Sequence, residues 1–238
     1  MKENKYDDNI FFQKYSQMSR SQQGLAGAGE WETLRKLLPD FKDKRVLDLG
    51  CGYGWHCIYA MEHGASSVVG VDISHKMLEV AKEKTHFPQV EYKCCAIEDV
   101  EFPEESFDVI LSSLAFHYVA DYEILVKKIY RILKSGGKLV FTVEHPVFTA
   151  YGTQDWYYNE KGEILHFPVD NYYYEGKRTA VFLGEKVTKF HRTLTTYLNT
   201  LLSNGFIINH IVEPQPPENM MDIPGMQDEM RRPMMLIV

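Results

Sequence analysis

The sequence predicts an α/β domain on a mostly parallel sheet, and three observations lead there. Short apolar, β-branched runs alternate with helical-period segments from about residue 45 to 143. The first of those runs closes in a cluster of glycines. The chain is 238 residues with 45% hydrophobic and 25% charged residues, the composition of one ordinary globular domain rather than a disordered, collagenous or membrane-spanning chain. A chain of this size buries about 70% of its unfolded surface, so neither a disulfide nor a structural metal is needed.

The elements follow in order. Tyr6, Ile10, Phe11, Phe12, Tyr15 and Met18 recur at roughly helical spacing, and Ser21 to Gly29 is a flexible connector. Trp31, Leu34, Leu37 and Leu38 mark an amphipathic helix that stops at Pro39. Val46, Leu47 and Leu49 make a strand, and a helix runs through Ile58, Tyr59 and Met61 to Gly64. The alternation then repeats: strand 67–71, helix 74–84, strands 90–94 and 107–111, helix 122–133, a stop at Ser135-Gly136-Gly137, and strand 138–143. Residues 150–190 break the pattern, with glycines at 152, 162, 176 and 184, and read as an inserted hairpin or lid. A helix over 193–203, a strand over 206–211, a Pro-rich loop and a strand over 233–238 complete the chain. The predicted organisation is a single domain: an N-terminal helical lid (1–43), a ligand-binding half (44–149), an insertion (150–190) and a C-terminal helix with strands (191–238).

Charge and cysteine content narrow the setting. Twenty-six basic against 33 acidic residues give a net charge of −7, and no run of five basic residues occurs, which argues against nucleic acid or anionic lipid as partner. The N-terminal MKENKYDDNIFF has neither the apolar core of a secretory signal nor a lipidation motif, so a cytoplasmic setting is expected. Cys51, Cys57, Cys94 and Cys95 form no Cys-x-x-Cys pair and are expected to be reduced and mostly buried. No Cys/His/Asp set has metal spacing, and none is expected to hold a metal.

Residues 46–56 read Val-Leu-Asp-Leu-Gly-Cys-Gly-Tyr-Gly-Trp-His. Glycines at the carboxyl end of a first strand let a ligand approach bare backbone and the following helix N-terminus. A dinucleotide fingerprint would need glycine at 55, which is Trp55, and a phosphate-binding Walker loop would need Gly-Lys-Ser/Thr, which is absent. Asp72, 22 residues after Gly50 and at the end of the second strand, can accept both hydroxyls of a ribose. A nucleoside ligand is implied.

Val46 to Gly54, Asp72-Ile73-Ser74 with Met77, and Glu98 to Ile110 together resemble the class I S-adenosylmethionine-dependent methyltransferases, specifically the small-molecule branch called methyltransferase type 11. The resemblance covers about residues 44–143. It implies a doubly wound, Rossmann-like, seven-stranded sheet, mostly parallel with an antiparallel last strand, to which the Tyr-rich insertion is added as a lid. It also implies S-adenosyl-L-methionine as cofactor and S-adenosyl-L-homocysteine as product. The family pattern places the cofactor's methionine end near Asp48, Gly50, Cys51, Gly52 and Gly54, its ribose on Asp72, and its adenine between Ile73 and Met77 with Ile97 and Glu98 alongside. This chain has Ala96 where many relatives carry Asp, leaving Glu98 as the carboxylate there. Ser112, Leu114 and His117 close over the methionine end, and Tyr15, Met18 and Arg20 fold over the cofactor as a lid.

In an open α/β sheet the reacting group lies beyond the carboxyl ends of the strands. His117 with Tyr118 after strand four, Glu144-His145 after strand five, and His191-Arg192 before the last helix are the candidates for substrate positioning or proton removal. The aromatic excess, 15 Tyr, 13 Phe and 3 Trp, also has an address: six of the tyrosines lie between 151 and 174, among them Tyr172. Such side chains build an apolar wall with polar tips, stack on a planar ring, or form a dimer interface. The expected function is methyl transfer to O, N or C of a small, cyclic or aromatic metabolite by a monomer or homodimer. Two rivals remain: a methyltransferase acting on RNA or protein, disfavoured by charge and by Ser112-Ser113-Leu114-Ala115 where an Asn/Asp-Pro-Pro-Tyr-type signature would stand, and a non-catalytic cofactor-binding regulator.

Overall fold

β-Branched and leucine side chains on alternating faces drive the central sheet of the computed structural model, which describes residues 3–238. The strands are β1 (Arg45–Leu49), β2 (Ser67–Asp72), β3 (Val90–Cys94), β4 (Phe107–Ser113), β5 (Leu133–Glu144) and β10 (Met235–Ile237). Their order is β10-β5-β4-β1-β2-β3, parallel except for the antiparallel β10. Leu47, Leu49, Val71 and Ile110 point to one face, where they meet Tyr122, Leu125, Ile129 and Tyr197. Val46, Val68, Val109 and Leu111 point to the other, against Trp31, Cys57, Ala60 and Leu78. Each fully buried side chain of this kind contributes roughly 1.5–3 kcal/mol.

The helices follow from their caps and apolar stripes. They are α1 (Asn9–Ser16), α2 (Ser19–Gln22), α3 (Trp31–Leu34), α4 (Trp55–Glu62), α5 (His75–Lys84), α6 (Tyr122–Ile132), α7 (Pro146–Ala150) and α8 (Leu194–Ser203). Asp121 accepts the Ile124 N–H at the start of α6, Ser74 the Met77 N–H at α5, and Thr193 the Thr196 N–H at α8. In α6 the residues 122, 125, 126, 129 and 132 are buried, the stripe that the sequence periodicity anticipates.

Between β5 and α8 the sheet is interrupted by α7 and two separate hairpins, β6 (Tyr157–Tyr158) with β7 (Ile164–His166) and β8 (Gly176–Phe182) with β9 (Glu185–His191), where the sequence pattern predicts a single inserted hairpin or lid over 150–190. A small third core of Phe11, Ala180 and Val187 joins the second hairpin to the N-terminal helix.

Three expectations need correction. The helix opening at Trp31 ends at Leu34 and gives way to a turn before Pro39. The sheet holds six strands among the described residues, not seven, because 206–211 does not pair. Only Val212 bridges to Ile237, and Ile207 is 85% exposed. The gap leaves a hollow of about 840 Å³ between β5 and this loop, lined by Gly137, Phe206 and Val238 among others and remote from the glycine turn. The helix after Tyr122 also ends earlier than its glycine stop, at Ile132, and β5 begins at once.

Candidate active site

The strand order reverses between β1 and β4, and in such sheets the crevice opens where the carboxyl ends of the two diverging strands separate. A cavity of about 770 Å³ occupies that place, within the roughly 300–1,000 Å³ range of small-molecule sites. One end is walled by Gly50, Gly52, Asp72, Ile73, Met77, Ile97 and Glu98, together with Tyr15, Met18 and Arg20. The other is walled by His117, Tyr118, Glu144, Phe148, Gln154 and Lys189.

The glycine turn is shaped by backbone demands. Gly50 has φ +80° and a Cβ there would stand 2.5 Å from the Ala115 Cβ, so only glycine lets the loops after β1 and β4 meet. Gly52 has φ +52° with nothing within 4 Å of its absent Cβ, leaving an open cradle on the cavity wall. Asp72 links this turn to α5: one carboxylate oxygen accepts the Gly52 N–H and the other the Ser74 N–H, each at 2.9 Å. Burial raises its pKa to about 6 against those bonds. Opposite, Leu114 is held in the left-handed region at φ +52° because its N–H bonds both the carbonyl (2.9 Å) and the hydroxyl (3.0 Å) of Thr142.

Four residues expected at the cofactor stand behind this wall. Asp48 is 1% exposed beneath the turn, receives the Cys57 thiol at 3.4 Å, and is pushed by burial to about 7. Cys51 is buried, and Gly54 packs against the Tyr92 hydroxyl. Ser112 donates to the Leu49 carbonyl at 2.7 Å, so its neighbours Ser113, Leu114 and Ala115 line the cavity in its place.

An N-terminal strap covers the cavity. Asp7 accepts the Ser74 hydroxyl (2.6 Å) and the Lys76 N–H (3.1 Å), and the Asn4 side-chain amide donates to the Ile73 carbonyl (3.2 Å). On the other side Glu3 accepts the Thr188 N–H at 3.0 Å. Residues 3–7 therefore tie the β2–α5 turn to the β8–β9 hairpin. Behind them Tyr6 packs edge-on to Tyr15 and Tyr118, and Arg20 pairs with the buried Glu30 at 2.5 Å.

The far end holds a buried polar network. Lys189, 2% exposed, donates to Glu144 at 2.5 Å and to the Gln154 carbonyl oxygen at 2.8 Å; the Gln154 amide donates to the second Glu144 oxygen at 2.5 Å. Burial alone would raise the Glu144 carboxyl, but His117, Lys189 and these hydrogen bonds hold it below the usual carboxylate range. His117 accepts the Glu144 backbone N–H on Nδ1 at 3.3 Å. Burial drops its pKa to about 4, so at neutral pH the ring is uncharged, and with Nδ1 accepting, the proton sits on Nε2.

Four other predicted substrate residues are not brought to this wall. His145 caps α7 by accepting the Val147 N–H at 3.0 Å, and its Nε2 lies 2.8 Å from Glu213. His191 is fully buried between the Thr149 hydroxyl (2.7 Å) and the Tyr172 carbonyl (2.8 Å). Arg192 donates to the Val119 and Ala120 carbonyls and stacks on Tyr122 and Tyr197. The Tyr172 hydroxyl accepts the Leu194 N–H. All four spend their hydrogen bonds on neighbouring loops and helix ends rather than on the cavity. Lys189 and Gln154 were missed; the available signal was the period-2 face of β9, on which Val187, Lys189 and His191 are buried together.

Among the described residues no helix is long and apolar enough to cross a membrane, and no group of three or more His, Cys, Asp or Glu is placed to hold a metal ion.

A glycine turn and a strand-end carboxylate at a switch point, facing a polar chamber, are the features of a nucleoside-binding α/β protein, and residues 47–141 match the family described as "Methyltransferase domain". The chain is similar over 90% of its length to two crystal structures. One is a candidate S-adenosylmethionine dependent methyltransferase from Listeria monocytogenes, 58% identical, with TM-score 0.86 and 96% of that chain covered. The other is an S-adenosylmethionine dependent methyltransferase from Mesorhizobium loti, 40% identical, with TM-score 0.83 and 98% covered. A ubiquinone biosynthesis O-methyltransferase of Coxiella burnetii is 36% identical over 112 residues, 46% of this chain and 47% of that protein. The chain belongs to the S-adenosylmethionine-dependent methyltransferases, of the class I, type 11 kind. It is an enzyme whose cofactor is S-adenosylmethionine.

Proposed function

We propose that the enzyme methylates an oxygen, nitrogen or carbon of a small, cyclic or aromatic metabolite held at the His117–Lys189 end of the cavity. The observation that carries this reading is the single cavity of about 770 Å³, which joins the glycine turn to a buried polar chamber covered by the strap and the β8–β9 hairpin. A covered chamber of that size suits a small molecule rather than a folded macromolecule.

Within this reading Gly50 and Gly52 lie against the methionine end of the cofactor, Asp72 accepts the ribose hydroxyls, Ile73 and Met77 flank the adenine, and Ile97 and Glu98 meet its edge. The open cradle at Gly52 and the two-oxygen carboxylate of Asp72 are the features that fit a nucleoside. Bound there, S-adenosylmethionine would supply a methyl group on a sulfonium sulfur, open to displacement by a lone pair of the acceptor with the thioether as leaving group. The chain's part is to align the acceptor and exclude water, which in favourable intramolecular systems is worth about 7–11 kcal/mol. Tyr6, Tyr15 and Tyr118 form the apolar cover that does so.

The test is S-adenosylhomocysteine release across a panel of phenols, amines and heterocycles. Turnover of at least one small acceptor, abolished by Gly52→Val, is the expected result. Turnover confined to RNA or protein would overturn the reading.

A further inference from the structure

The charges lining the cavity divide between its ends. Around the cofactor end stand one arginine, Arg20, and three carboxylates, Glu30, Asp72 and Glu98. At the far end stand Lys189 and Glu144, and on the strap and hairpin over the cavity Lys5 and Lys177 against Glu3. The first set complements a cofactor with a cationic sulfonium and ammonium. The second, counted with the strap and hairpin, has three lysines to two glutamates.

Hydrogen-bond polarity at the far end has the same sense. Both Glu144 oxygens are engaged by Lys189 and Gln154, so the carboxylate is not the free acceptor its sequence position suggests. The Lys189 ammonium has three N–H donors and spends two, on Glu144 and Gln154. His117 uses Nδ1 as acceptor, and among the described residues no hydrogen bond reaches its Nε2–H, although the residue is 2% exposed and lines the cavity. Two buried donors are thus left over, on adjoining residues of one network, with apolar rings around them: Lys189 lies 6.0 Å from the Tyr118 ring and 5.5 Å from the Phe182 ring. The network adjoins the cofactor end, because His117 is two residues beyond Ala115, the neighbour of Gly50.

A nucleophile in this chamber meets donors. An ammonium is repelled by Lys189, and a neutral amine turns its own N–H groups toward other N–H groups. An oxyanion instead gains two charge-assisted or polar hydrogen bonds in a site of low dielectric. The geometry points to an acceptor that binds as its conjugate base, a phenolate or enolate, with Lys189 as the residue that selects it over amines. This rests on the small-molecule reading above. The acceptor's proton is lost to solvent before binding, so neither His117 nor Glu144 is required as a base. Transfer then joins an anion to a cationic donor and leaves two uncharged groups at the reacting atoms.

The experiment uses 4-nitrophenol, whose phenolate is yellow and whose phenol is not, titrated into the full-length protein saturated with S-adenosylhomocysteine. The expected result is that the bound probe is the phenolate at pH values where the free probe is mostly phenol. Lys189→Met should weaken phenolate binding about 10- to 100-fold, the usual worth of a hydrogen bond to a charged group. Lys189→Arg should retain most of it, and Glu144→Gln/Lys189→Met, which leaves no unpaired carboxylate, should lose it as Lys189→Met does. Unchanged S-adenosylhomocysteine affinity in the variants shows that they are folded. Binding of the colourless phenol, no binding of the probe, unchanged phenolate affinity in both Met variants, or turnover of anilines equal to that of phenols would each overturn the proposal while leaving the methyltransferase assignment standing. Failure of the parent to turn over any small acceptor would remove the small-molecule reading beneath it.

Discussion

Replacing Asp72 by alanine should uncouple cofactor affinity from the rest of the site. Each carboxylate oxygen already accepts one backbone N–H, from Gly52 or Ser74, at 2.9 Å, and each retains a second lone pair for a ribose hydroxyl. A hydrogen bond to a charged group contributes about 1.5–3 kcal/mol, and the two are not additive, so a loss of about 3 kcal/mol, or roughly 100-fold in Kd, is expected for Asp72→Ala. Asp72→Asn keeps one acceptor oxygen and should lose roughly tenfold. The substitution also strips an acceptor from two half-buried N–H groups, at about 1–3 kcal/mol for an unpaired donor, so Tm falls as well. Titration calorimetry with S-adenosylhomocysteine beside thermal melts separates the two effects. The parent carries an internal check: with a pKa near 6, the carboxylate is protonated as pH drops through that value, and affinity should fall with it in the parent and not in Asp72→Asn. An Asp72→Ala protein that melts cooperatively and binds within threefold of the parent would refute the ribose assignment.

Three further outcomes are expected. Gly50→Ala forces a Cβ to 2.5 Å from Ala115 at φ +80°, costing about 2–5 kcal/mol from strain and overpacking, visible as a lowered Tm, whereas Gly52→Ala, with open space, should melt within a few degrees of the parent yet bind S-adenosylhomocysteine more weakly. Asp48 is buried and its folded pKa of about 7 lies above the usual 3.8, so its contribution to stability is greatest below about pH 4 and is lost as pH rises to 7. The unfolding free energy of Asp48→Asn relative to the parent should therefore rise across that window by on the order of 4 kcal/mol and stay level above it, as read by denaturant titrations at several pH values. His191→Ala removes a fully buried ring from between Thr149 and the Tyr172 carbonyl and should lower stability by about 2–4 kcal/mol in urea titrations while kcat per folded molecule is retained.

The glycine-turn end of the cavity was legible in the sequence because its signals are local. Glycines 50, 52 and 54 and the acid at 72 sit at the ends of strands whose periodicity is plain, and β3 falls on Val90–Cys94 as the pattern requires. The far end of the cavity was less legible because its residues act through pairing. Lys189 sits in Glu-Lys-Val-Thr-Lys-Phe-His, where a lysine reads as solvent-facing, and only the distant Glu144 and Gln154 make its burial tolerable. His145, His191 and Arg192 carry the right chemistry at the right places in the chain, but their hydrogen bonds go to the protein, to Val147, Thr149 and the Val119 carbonyl, and position alone cannot distinguish a ring that holds a substrate from one that holds a hairpin. The strand foreseen at 206–211 has suitable side chains and lies beside the edge strand β10, yet the chain meets that edge only at the Val212–Ile237 bridge.

The strap of residues 3–7 has a practical consequence for anyone making this protein. Glu3, Asn4 and Asp7 are bonded to Thr188, Ile73 and Ser74, so a purification tag fused ahead of them hangs from the cover of the cavity. Val238 is hydrogen-bonded to Phe141 on the sheet edge, away from that cover, and a tag placed behind it leaves the entrance free.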